Sequence, residues 1–167
     1  MNAAEEIVKI WLEQRGYFHI DNLAAGGRKE IDFLAVKPGS GGRIGEKCHV
    51  EVSVSTRPNL SWSKKKHGSI ERIADRDVKT KFHDRRVIKE AEKRFGRGPY
   101  KKIFVKGPLD RNGTERERWI RQVKRKGVEV KKFEEIVSEV RDSLKDVKLH
   151  PTNSGQVLQF LTNLNVS

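Results

Sequence analysis

Residues 49–55 read HVEVSVS, so that His49, Glu51, Ser53 and Ser55 alternate with Val50, Val52 and Val54. A period of two describes a strand with one apolar and one polar face. The chain must cover that apolar face, and it must also accommodate a carboxylate inside the strand. A second run, GGRKEIDFLAV (26–36), poses the same problem, because Asp32 interrupts an otherwise apolar stretch. Carboxylates taken out of water are costly unless they are paired or bind a cation. If these two strands are neighbours, Asp32 and Glu51 approach each other. Two carboxylates held close require a positive partner, and an oxygen-lined site suits Mg²⁺ or Mn²⁺.

The rest of the chain supplies the covering layers. NAAEEIVKIWLEQRGY (2–17) has Ala4, Ile7, Val8, Trp11 and Leu12 at helical spacing, with Asn2 as cap and Gly16 as terminator. YFHIDNL (17–23) reads as a short strand or extended entry, and KPGSGGRIGE (37–46) as a loop. The third strand spans 47–55. Helices are expected at 69–82, capped by Ser69, and at 84–95, capped by Asp84. A strand at 101–107, a helix at 115–127, a strand at 128–133 and a helix at 134–146 complete the pattern. This order predicts an α/β domain over residues 1–146, with a central mixed sheet flanked by helices. Residues 147–167 form a tail in which Val157, Leu158, Leu161 and Leu164 make a helical stripe. The stripe can pack back on the domain or join two copies as a homodimer.

Composition narrows the partner. Of 167 residues, 36 are Lys or Arg and 23 are Asp or Glu, a net charge of +13. The excess is local: residues 1–60 sum to zero, 61–132 carry +15 and 133–167 carry −2. A basic middle segment favours a polyanion, and nucleic acid above others. The single cysteine, Cys48, excludes an internal disulfide and a Cys-cluster zinc site. It is expected as a small buried or half-buried residue of the third strand. No run approaches the roughly 18 apolar residues of a membrane span, and no signal-like segment opens the chain. A soluble, cytoplasmic protein without membrane contact is expected. Dinucleotide and triphosphate loops and a nucleophile elbow are absent. His49 and His67 lack a second His at ligand spacing and read as structural or surface residues, and Trp11 and Trp119 as core.

A helix carrying Glu5, then GRKEIDFLAV, then HVEV resembles the PD-(D/E)XK, or restriction-endonuclease-like, nuclease superfamily. The similarity is greatest to its Holliday-junction-resolvase and YraN-like branch. It covers about residues 3–57. It implies a restriction-endonuclease-like fold and a divalent-metal-dependent endonuclease acting on DNA, with branched DNA as one substrate. By the same resemblance, Asp32, Glu51 and the Val52 carbonyl would hold Mg²⁺ or Mn²⁺. Glu5 would orient water or complete a second metal site, and the product would carry 5′-phosphate and 3′-hydroxyl ends.

The chain departs from the family at Ser53, where the motif has Lys. Serine cannot supply that charge. Three readings stand at this point. A lysine reaches the site from elsewhere, with Lys79 and Lys81 as candidates and Lys64, Lys65 and Lys66 behind them. Alternatively the metal suffices and Ser53 holds a water. In the third reading cleavage is lost and binding kept, leaving a non-catalytic nucleic-acid-binding module. Beyond the site, Arg57, Lys64, Lys65 and Lys66 are candidate phosphate contacts, and Trp62 could stack on a base. A structural or assembly protein that docks a partner through the C-terminal stripe is the reading of a different class.

Overall fold

A computed structural model describes residues 2–54, 68–108 and 113–143 of the chain. Helix α1 spans Ala3–Gln14. Strands β1 (Phe18–Gly26), β2 (Lys29–Pro38) and β3 (Ile44–Ser53) follow, with a 3₁₀ turn at Ser40–Gly42. Then come α2 (Ile70–Phe82), α3 (Arg85–Phe95), β4 (Lys101–Lys106), α4 (Thr114–Lys124), β5 (Glu129–Lys132) and α5 (Phe133–Ser143).

The helices start where the sequence offers caps. The Asn2 side chain accepts from the Ala4 and Glu5 amides, while the Glu5 carboxylate accepts from the Asn2 amide at 2.9 Å, a capping box. Ser69 and Asp84 cap α2 and α3 as expected. Each helix then buries one stripe: Ile7, Val8, Trp11 and Leu12 on α1, and Ile70, Ile73, Ala74, Val78 and Phe82 on α2.

The strands form one open sheet in the order β1-β2-β3-β4-β5. The first three pair antiparallel, and β3-β4 and β4-β5 are parallel. One face packs Phe33, Ala35, Cys48, Val50, Ile103 and Val105 against α1 and α5. On the other, Phe104 packs with α2 and α4, and Leu34 with α3. The result is an α/β domain of three layers around a mixed sheet. No helix among the described residues is long and apolar enough to cross a membrane. The tail stripe at 157–164 lies outside the described residues.

Two segments differ from the sequence expectation. β1 runs to Gly26 rather than ending near Leu23, because pairing with β2 draws Ala24 and Gly26 into the ladder, with an irregularity at Ala25 between them. Half of the expected 37–46 loop is strand: β2 continues to Pro38 and β3 begins at Ile44. The glycines serve close approach there. A Cβ on either Gly39 or Gly45 would lie 3.0 Å from the Cα of the other.

Candidate metal and phosphodiester site

Alternation along β3 puts Cys48, Val50 and Val52 on the α1 side and His49, Glu51 and Ser53 on the α2 side. The last β2-β3 pair in the ladder is Phe33↔Val50. One step further, Asp32 and Glu51 fall opposite each other on the α2 face, as neighbouring strands require. Both are buried.

Three further groups fix this pair. The Val52 amide donates to Asp32 Oδ2 at 2.7 Å. His49 Nε2 lies 2.7 Å from Glu51 Oε1. Lys81 Nζ, reaching over from α2, lies 2.6 Å from Glu51 Oε2 and 3.7 Å from Asp32 Oδ2. The ammonium meets Glu51 Oε2 as an ion pair outside hydrogen-bonding angles, so this buried oxygen has no well-aligned donor.

The electrostatics follow from two acids sharing one base. Burial, followed by the Glu51 charge, raises the Asp32 pKa to about 6, against the pull of Lys81 and the Val52 amide. Burial raises Glu51 to about 7 although Lys81 opposes it. Burial lowers the Lys81 ammonium, but the two carboxylates outweigh that and hold it above its ordinary value. Burial drives His49 down to about 3. The ring is therefore neutral, and Nε2–H donates to Glu51 Oε1, a hydrogen bond rather than an ion pair. Its ring also packs on Phe82, with centroids 4.7 Å apart.

These donors fit a hard divalent cation. Two carboxylates lie together in a setting where one ammonium does not offset the cost of ionising both. In a strand, the N–H and C=O of one residue point the same way. The Val52 carbonyl therefore faces the Asp32 side, beyond the end of the β2-β3 pairing. Among the described residues no group of three or more His, Cys, Asp or Glu side chains gathers as a closed metal cage. A pair of carboxylates matches Mg²⁺, which binds through one or two and keeps its remaining places for water and phosphate.

The other candidate residues are distributed as follows. Ser53 ends β3 and accepts from Lys106 Nζ at 2.9 Å. Lys106 is its partner in the parallel ladder and lies buried, with Nζ 4.9 Å from the Trp119 ring centroid. Sequence reasoning missed this contact. In KKIFVKG, Phe104 and Lys106 share the face opposite Ile103 and Val105, but the β3-β4 register was not readable. Lys79 is exposed and lines a separate cleft, so the structure brings Lys81, not Lys79, to the carboxylates. Glu5 serves the α1 capping box, on a helix that packs against the opposite face of the sheet. Arg57, Trp62, Lys64, Lys65, Lys66 and His67 lie outside the described residues. Trp11, Trp119 and Cys48 are buried.

No protein-family model matches the chain, and no curated protein sequence proves similar to it.

Proposed function

We propose that the chain is a divalent-metal-dependent endonuclease of the restriction-endonuclease-like class, hydrolysing phosphodiester bonds in DNA. The observation that carries this reading is the convergence of Asp32, Glu51 and Lys81 on one buried, solvent-edged spot. Asp32 and Glu51, with the Val52 carbonyl, would hold Mg²⁺ or Mn²⁺. Bound there, the cation supplies Lewis acidity toward a phosphate oxygen and acidifies water.

The chain's own residues do the positioning. The Val52 amide fixes the Asp32 carboxylate. Neutral His49 fixes Glu51 without adding a charge that would compete with the cation. Lys81, a third exposed at its side chain, presents an ammonium at the solvent edge, where a phosphodiester would gather negative charge as it reacts. That arrangement supports the reading in which a lysine from the following helix replaces the absent motif lysine at Ser53. The basic 61–132 segment would hold the strand nearby. Branched DNA and a homodimer remain part of the proposal through the family resemblance.

A second reading rests on the same ion pair: Lys81 already partners both carboxylates, as it would in a module that binds DNA without cutting it. Plasmid, linear and four-way-junction DNA incubated with Mg²⁺, Mn²⁺ or EDTA separates the two. The nuclease reading expects cleavage in metal and none in EDTA. Tight, salt-sensitive binding with no cleavage in either metal favours the binding module.

A further inference from the structure

Where α2 meets α3 there is a second polar feature, distinct from the carboxylate pair. Lys29, Lys79, Thr80, His83, Asp84 and Arg85 line an open cleft of about 450 Å³. Three of these side chains are cationic and one is anionic. The anion is already engaged: Asp84 accepts from the Arg86 amide at 2.9 Å and from its guanidinium at 3.2 Å, and Lys29 Nζ lies 3.6 Å away. The Lys79 and Arg85 side chains have neither an acidic partner nor a hydrogen bond among the described residues. The cleft therefore presents two uncommitted cations, a shared third and the Thr80 hydroxyl. Burial, and then the charges of Lys102 and Lys126, hold the His83 imidazole below its ordinary pKa, so it offers a neutral N–H.

The cleft's position relative to the carboxylates is also set by the fold. Lys29 precedes Asp32 by three residues on β2, about 10 Å at roughly 3.3 Å per residue. Lys79 and Thr80 immediately precede Lys81 on α2. Cleft and carboxylates are therefore near enough in the fold for one nucleic-acid strand to reach both.

We infer that this cleft is a phosphate-binding subsite, gripping a backbone phosphodiester of the DNA beside the bond at Asp32 and Glu51. The inference rests on the nuclease reading for its ligand, while the cleft's chemistry fits any phosphate. Its contacts are charge and hydroxyl contacts that read no base, so the subsite fixes position along the strand rather than sequence.

The test uses the full chain and a labelled DNA duplex in EDTA, with affinity measured from about 50 to 200 mM salt. Each phosphate contact contributes about −0.9 to the slope of log K against log[salt]. The variant combining Lys79→Ala and Arg85→Ala changes exposed side chains, and circular dichroism verifies its fold. The expected result is a slope shallower by about 0.9, with a matching loss of affinity at low salt. A wild-type slope in the folded double variant would overturn the subsite and leave the nuclease reading untouched. If the wild-type chain binds no DNA, the nuclease reading fails instead. Inorganic phosphate, followed at the His83 ring protons, then decides. A saturable shift absent from the double variant retains the cleft as a site for a small phosphate ligand, and no shift overturns it.

Discussion

Lys81 carries more of the account than any other single side chain. It is the only lysine among the described residues in ion-pair contact with both Asp32 and Glu51. Lys81→Met would leave two buried acids without a base. We expect a loss of about 1–3 kcal/mol above pH 7, less than for a fully buried pair because the lysine is a third exposed. Added Mg²⁺ should restore part of that loss, as read by thermal midpoint; identical losses with and without Mg²⁺ would speak against a cation at the pair. The pH dependence has a definite sign. Asp32 and Glu51 rise from 3.8 and 4.5 to about 6 and about 7 on folding. The folded state therefore holds protons that the unfolded chain releases, and the pair's contribution to stability falls as pH rises from about 4 through 7. Glu51→Gln should flatten that fall, and a midpoint difference from wild type that is constant over this range would contradict it.

The sequence makes Asp32 and Glu51 conspicuous because alternation exposes an acid in an apolar run. It also contained a clue to Lys81: the residue follows Val78 by three and Ala74 by seven, at the edge of the buried stripe, whereas Lys79 sits round on the solvent side. Lys106 was beyond reach, because only the parallel register places it against Ser53. Replacing this buried lysine by Met should leave the unfolding midpoint unchanged or raise it. If the Lys106–Ser53 contact serves the site, cleavage falls while the unfolding midpoint does not.

At the level of elements, caps and apolar periods were enough to locate every helix among the described residues within a few residues. Asn2, Ser69 and Asp84 are the caps the pattern calls for. Asn2→Ala should remove the capping box and cost about 1 kcal/mol by denaturant unfolding; an unchanged midpoint would mean that Glu5 is not spent on the cap. The glycine-rich 37–46 segment misled because four glycines read as a loop locally, while the ladder between β2 and β3 decided its structure. Packing likewise could only be guessed until the layers were known. Trp119 is fully buried and lies edge-on to Phe104, with centroids 5.1 Å apart, bridging α4 and the sheet. Trp119→Ala should cost about 3–5 kcal/mol. A smaller loss would mean that the second core is looser than its contacts imply.

For the molecule as a whole, sequence charge and fold combine into one arrangement. The chain's positive excess falls in 61–132, the stretch that contributes α2, α3 and α4 to one side of the sheet. Asp32, Glu51 and Lys81 open on that same side, so under the proposed function a strand held by the basic surface would meet the carboxylates. The central claim is that this pair is the seat of metal-dependent cleavage. Single-turnover cleavage in Mg²⁺ by wild type, Asp32→Asn and Glu51→Gln, each shown to be folded, tests it most directly. The account predicts a metal-dependent wild-type rate and a loss of about a thousandfold or more in each variant, the scale of removing a principal electrostatic group from an active site. Cleavage at the wild-type rate in both variants would contradict it.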